Sequence, residues 1–261
     1  IDTPTAGYSM GVLEDEAIRI IQNVKNPFFM CLWPYLPHSP FPESQDSTKF
    51  KTEVWAPPSL NEVDVSDKPI KWQFPLLTSS QLSSITLQYR KTLRALQALD
   101  RAIDNIISAL ISADKLNDTV LIYSTDQGVT FGEHRVSGAK KGLPWQSVTK
   151  IPIYIRGDFI VPGIRSQLAT TEDIASTVLE MFGIADLRDG QSLRPYLNNP
   201  NAFPSRSEIL VQNWSMYRWD GLATDRYMYV NLKNTGGGEQ LYDHIVDPDE
   251  MESKHANLSY G

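Results

Sequence analysis

The longest periodic stretch of the chain is residues 81–113. There Ile85, Tyr89, Leu93, Leu96, Leu99, Ile103, Ile106 and Leu110 recur at steps of three and four. That spacing predicts an amphipathic helix with a single apolar stripe, and a helix of this length has to bury its stripe against a second layer. The flanking segments supply candidates. Residues 14–24, "EDEAIRIIQNV", read as a helix with an acidic first turn and apolar residues at 17, 18, 21 and 24, ended by Asn26-Pro27. The unbroken run "FFMCLW" at 28–33 reads as a strand buried on both faces, with Cys31 as a small buried hydrophobe inside it. The loop "ADKLND" leads to a strand over 119–123, and "IPIYIRG" at 151–157 predicts another. Residues 170–184 predict a helix with a Thr cap and an acid shortly after it, Ile174, Val178 and Met181 inward, and Gly183 at its end.

Strand–helix alternation over this span implies an α/β fold, a mostly parallel sheet flanked by helices. From about Ser205 the pattern changes to short aromatic strands separated by turn residues, which predicts a small antiparallel subdomain. The expected division is therefore 1–204 and 205–261. Residues 43–78 carry few periodic signals and read as a long excursion of the functional or substrate-binding kind.

The formal charge of −7 argues against general nucleic-acid or anionic-membrane binding. No apolar run approaches the ~20 residues of a membrane span. With one cysteine, no internal disulfide can form. Basic residues gather in one place: Arg135, Lys140, Lys141, Lys150 and Arg156 against the single acid Glu133 between 131 and 156. Sequons begin at Asn117, Asn213 and Asn257.

The chemistry-bearing segment is Ser124–His134, "STDQGVTFGEH", directly after the strand at 119–123. In open α/β sheets ligands gather at such strand ends. Asp126 and Gln127 offer a carboxylate and an amide oxygen side by side, a pair that suits Ca²⁺ or Mg²⁺ better than zinc. The same residues also suit a turn that caps the loop. Two ligands cannot hold such an ion alone, and the chain has no adjacent Asp-Asp pair. Lys140 or Lys141 could neutralise an anionic substrate oxygen or a leaving group, or be a solvated lysine. His38, among prolines, could be a general acid or anion ligand, or a histidine bonded to a loop carbonyl. If the strands at 28–33 and 119–123 are parallel neighbours, His38, Asp126 and Gln127 converge. His134 either orients the loop from behind or joins Lys140 in binding substrate.

Taken in order, these segments resemble the sulfatase family of the alkaline-phosphatase-like superfamily. "PFFMCLWPYLPHSPF" is similar to that family's strand and Pro-His-x-Pro loop, and "YRKTLRALQALDRAIDNIISAL" to its long helix, with Asp100 where an Asp is usual. "NDTVLIYSTDQGVTFGEH" and "KKGLPW…KIPIYIRG" resemble its metal-binding turn and its lysine loop. "TTEDIASTVLEMFGI", "DGQSLRPYL" and "LYDHIVDPDEME" follow its later motifs, with a flavour of N-acetylglucosamine-6-sulfatase-like and bacterial polysaccharide sulfatases. The resemblance implies Ca²⁺-dependent (or Mg²⁺-dependent) hydrolysis of a sulfated sugar or other sulfate ester through a formylglycine. Asp126 and Gln127 would be metal ligands, and Lys141 and His38 would contact the sulfate and help the leaving oxygen. A periplasmic, secreted or lysosomal setting is implied as well.

The departures are equally specific. The Asp-Asp pair, the Cys/Ser-x-Pro-x-Arg segment that yields formylglycine, and a further Lys-x-His pair do not occur in this sequence. Gln127 replaces the commoner Asn, and "LPWQSVTK" replaces a usual Pro-Tyr-Glu-x-Ser-x-Arg. The chain is therefore expected to lack the family's N-terminal third, to need a separate segment or chain for turnover, and to be inactive alone. Two other readings compete: a phosphodiesterase or phosphonate hydrolase of the same superfamily, and a non-catalytic domain that binds sulfated glycan.

Overall fold

Met10, Ala17 and Ile21 form the buried side of the first helix, α1 (Ser9–Asn23). Their partner is α2 (Ser79–Ser112), the helix expected over 81–113. The computed structural model describes residues 7–38, 41–185, 189–202, 206–215, 217–233, 236–257 and 259. The chain divides into one unit of Ile1–Trp55 with Ser79–Val120 and a second of Ala56–Thr78 with Leu121–Gly261. The boundary expected at 204/205 falls on residues 203–205, outside the described ones.

In the first unit α2 buries alanines as well as its large apolar residues. Ala95, Ala98 and Ala102 are buried with Ile85, Leu99, Ile106 and Leu110, while Tyr89, Leu93, Leu96 and Ile103 are only half-buried. Small side chains let two helix backbones approach closely, and Met10 packs against Ala98, Leu99 and Ala102. Lys115 then satisfies the exposed end of α1, its Nζ donating to the carbonyls of Ile21 and Val24 at 2.6 and 2.8 Å.

The other face of α2 organises residues 43–55, the first part of the long excursion. Arg90 donates to the carbonyl of Glu53 at 2.7 Å, and Arg94 to those of Lys49 and Phe50 at 2.6 and 3.3 Å. Arg101 grips Asp46 at 2.7 Å and Glu43 at 2.5 Å. The Arg101 guanidinium, helped by Lys49, holds the Asp46 carboxyl below the usual carboxylate range. That pairing is therefore at full strength at neutral pH and is lost as pH falls through the lowered value.

The run 28–33 departs from expectation. No ladder pairing involves it among the described residues. Phe29, Trp33 and Tyr35 are 66%, 83% and 61% exposed, and Cys31 is exposed rather than buried. The alternation of exposed and half-buried positions is that of a chain with one face covered. An apolar run signals burial only where a second layer lies over it.

The second unit contains the remaining elements. β1 (Leu121–Ser124) is followed by a short helix, α3 (Gln146–Thr149), and then by β2 (Ile153–Arg156). β1 pairs with β2 in antiparallel register, Leu121 opposite Arg156 and Ser124 opposite Ile153. The parallel neighbour expected for β1 is not formed among the described residues.

Next come α4 (Thr171–Met181) and α5 (Arg194–Asn198). The Thr cap is present as a full capping box with Asp173. The most buried side of α4 is nevertheless polar: Asp173, Ser176 and Thr177 are buried, and Ile174, Val178 and Met181 only half-buried. The reason is the turn at 190–193. Gln191 N–H donates to Asp173 at 2.7 Å and Leu193 N–H to Thr177 at 2.8 Å. A side chain at Gly190 would lie 2.5 Å from the carbonyl of Glu172, so only glycine lets this turn seat.

The antiparallel subdomain forms as expected: β3 (Glu208–Asn213), β4 (Trp219–Thr224), β5 (Tyr227–Leu232) and β6 (Glu239–Asp243) make a four-stranded meander. Its inward residues Trp219, Met228, Val230, Leu232 and Tyr242 join Trp72, Val136, Leu143, Trp145 and Val148 in one core. The C-terminal strands and the loop after β1 therefore share a hydrophobic centre.

Candidate functional site

The loop from Thr125 to Trp145 leaves the end of β1. Asp126 stands exposed there, and its Oδ1 accepts the N–H of half-buried Gln127 at 2.9 Å. Gly128 follows because its backbone passes against α3: its N–H donates to Val148 O at 2.8 Å, and an added Cβ would lie 2.0 Å from the carbonyl of Ser147. Asp126 and Gln127 thus sit on a turn whose path is fixed by backbone contact. A carboxylate and an amide oxygen fit a hard divalent cation, and they supply two of the six to eight oxygens that Ca²⁺ takes. Among the described residues, no three His, Cys, Asp or Glu side chains gather as a metal cluster.

The lysine loop folds back on the same turn. Thr130 is fully buried; its N–H donates to Lys140 O at 3.1 Å, and its hydroxyl accepts the Lys140 N–H at 3.2 Å. Two residues on, the carbonyl of Gly142 accepts from Asn213 Nδ2 at 2.7 Å and from Trp219 Nε1 at 2.9 Å. Lys140 and Lys141 project between these two anchors, both exposed. Their backbone is fixed while their ammonium groups face water, as suits lysines that meet an anion.

His134 is placed differently. It is 2% exposed, and its Nδ1 lies 2.7 Å from Glu62. Its N–H donates to Ser59 O at 2.8 Å, and its ring lies 4.3 Å from that of Trp145. His134 therefore supports the loop from inside and does not face a substrate. Backbone angles of φ 49° at His134 and 65° at Arg135 turn the chain here. Arg135 holds the turn by donating to the carbonyls of Glu62, Val63 and Phe74.

His38 belongs to the first unit, whereas Asp126, Gln127, Lys140 and Lys141 belong to the second. It is exposed, its N–H donates to Tyr35 O at 2.9 Å, and its ring lies 4.9 Å from that of Tyr35.

With this geometry in view, the comparisons with known proteins take one direction. A match to the family described as Sulfatase spans residues 2–184. The chain belongs to the sulfatase family. It is similar to an arylsulfatase of Volvox carteri, 31% identical, over 74% of this chain and 35% of the relative. It is also similar to the N-acetylglucosamine-6-sulfatase of Homo sapiens, 27% identical, over 78% of this chain and 39% of the relative. The chain thus spans little more than a third of the length of these two curated relatives. A solved structure, BT4656 in complex with its substrate D-glucosamine-2-N,6-O-disulfate, superposes with a TM-score of 0.84 at 19% identity and covers 98% of this chain and 67% of that one. That likeness shows that the two chains share a fold. No helix among the described residues is long and apolar enough to cross a membrane.

Sequence reasoning missed the support beneath this loop. Glu62 lies between His134 and Lys68, whose Nζ is 2.9 Å from Glu62 and also donates to Met251 O at 3.1 Å. Both side chains of this pair are essentially without solvent exposure, at 0% for Lys68 and 2% for Glu62. The Lys68 ammonium stands 6.0 Å from the ring of Tyr242, whose phenol is pushed well above its usual value by burial. Nothing in the spacing of "PPSLNEVDVSDKP" signals these contacts, because Glu62 and His134 are 72 residues apart.

The sequon at Asn213 also acquires a meaning. Asn213 Nδ2 commits both hydrogens, one to Gly142 O and one to Tyr217 O at 2.8 Å. A glycan on that nitrogen would take one of the two hydrogens, so at least one of these bonds would be lost. Peptide mapping of the chain from a secretory host is expected to find Asn213 unmodified, and a glycan at Asn213 would contradict this placement. Asn117 is exposed and carries no such constraint.

Proposed function

We propose that this chain carries part of the active site of a sulfuric ester hydrolase that removes sulfate from a sulfated sugar. The observation that supports it best is the fixed turn of Asp126 and Gln127 with a lysine pair folded back beside it, within a family of sulfatases. A divalent cation, Ca²⁺ or Mg²⁺, held with Asp126 and Gln127 as two of its ligands, would supply positive charge for a sulfate oxygen. Gly128 and Thr130 keep the loop rigid, so the Asp126 carboxylate is presented without reorganisation. Lys141, with Lys140 beside it, neutralises negative charge on the sulfate or on the departing oxygen. The formylglycine nucleophile of the family has no counterpart in this sequence, since Cys31 is followed by Leu-Trp-Pro and not by the x-Pro-x-Arg pattern.

The 261-residue chain alone is therefore expected to release no sulfate from p-nitrophenyl sulfate. In an enzyme that joins it to a formylglycine segment, Asp126→Ala should lower kcat/KM at least about a hundredfold. Metal-dependent sulfate release by the chain by itself, or full activity of the Asp126→Ala enzyme, would refute the assignment. Chelation that leaves the enzyme's activity intact would exclude the cation.

A further inference from the structure

We propose that Trp214 and Arg218 form a sugar-binding subsite beside the lysine loop, with the indole as a platform for a pyranose ring and the guanidinium as a partner for its sulfate. The inference rests on the sulfate ester reading above and adds a specificity site to it.

Trp214 is 65% exposed, a large apolar area to leave in water. The Arg218 guanidinium stands 4.4 Å from the centre of its ring and therefore covers one indole face. An indole face suits the C–H side of a pyranose, and a guanidinium suits the paired oxygens of a sulfate group, so the two together match a sulfated sugar.

The platform is built rather than incidental. Trp214 follows the last residue of β3 and Arg218 precedes the first residue of β4, so a short turn carries both. Asn213 closes that turn. Its Nδ2 donates to Tyr217 O at 2.8 Å, and its Oδ1 accepts from the N–H and hydroxyl of Ser215 at 3.2 and 2.9 Å. The same Nδ2, with Trp219 Nε1, fixes the turn to the carbonyl of Gly142 at 2.7 and 2.9 Å. Gly142 follows Lys141 directly. The turn that carries the indole is thus tied by hydrogen bonds to the residue that follows Lys141.

The test is calorimetric binding of a heparin-derived sulfated tetrasaccharide and of its desulfated counterpart to the chain and its variants. Trp214→Ala is expected to weaken both sugars about tenfold, and Trp214→Phe to restore most of the loss. Arg218→Gln is expected to weaken only the sulfated sugar and to erase its preference over the desulfated one. Circular dichroism checks that the exposed substitutions leave the fold intact. Unchanged affinity in folded Trp214→Ala, or no binding of either sugar by the wild-type chain, would overturn the subsite. Turnover of p-nitrophenyl sulfate by the joined wild-type enzyme tests the activity reading separately. Its failure with sugar binding retained removes the hydrolase and leaves the subsite standing.

Discussion

Replacing Lys68 by Met is expected to destabilise the second unit by about 3–5 kcal/mol, the loss typical of breaking a buried ion pair from one side. The ammonium of Lys68 lies 2.9 Å from Glu62 and 3.4 Å from Asp67, in a place where its own side chain has 0% exposure. Methionine fills similar volume but leaves the Glu62 carboxylate, 2% exposed, without its cation. The uncompensated buried charge, not the lost packing, sets the size of the effect. A second consequence concerns His134, whose ring is held by the other oxygen of Glu62 at 2.7 Å. Urea unfolding would measure the loss, and the double variant Lys68→Met/Glu62→Leu should regain a large part of it, because the stranded carboxylate is gone. A single variant within 1 kcal/mol of wild type (~1 kcal/mol being the scale of an ordinary surface change) would show that the pair carries no such weight.

Asp173→Ala should cost a similar amount, about 3–5 kcal/mol, for a different reason. Its carboxylate is 1% exposed and accepts four bonds at once. They come from Thr170 N–H at 2.7 Å, from Gln191 N–H at 2.7 Å, and from both arms of Arg206 at 3.1 and 2.8 Å. Alanine strands a half-buried guanidinium and two backbone donors together. If Asp173 were only half of a capping box, the loss would be about 1 kcal/mol. Asp173→Asn keeps the shape but not the charge, so it should fall between the two values. Thermal unfolding of the three proteins separates these cases, and equal stability of the Asn and wild-type forms would remove the ion pair from the explanation.

The regular elements were legible in the sequence where local pattern and burial agree. α2 announced itself by its stripe, α4 by its Thr cap, and β3–β6 by short aromatic runs with turns between them. Of the candidate site, Asp126 and Gln127 carried a local signal in the sequence, a polar cluster at the end of an apolar strand. Three things were illegible, each for a physical reason. The run 28–33 looked fully buried, since an apolar strand carries no mark of how many layers cover it. The polar inner side of α4 depends on backbone donors at 191 and 193, up to 18 residues away, which no helical period encodes. The Glu62–Lys68–His134 contact joins distant segments of unpatterned sequence, as does the tether from Asn213 to Gly142, 71 residues apart.

The arginines of α2 suggest where this chain is free to vary. Arg90 and Arg94 hold residues 49–53 by their carbonyl oxygens and ignore the side chains. Every amino acid offers the same carbonyl, so the path of this segment is conserved by the helix beneath it and not by its own letters. Substitutions at exposed Lys51 and Thr52 can alter surface chemistry while the backbone stays in place. Such a segment can drift toward new ligands without first risking the fold, which makes it a natural starting point for redesign.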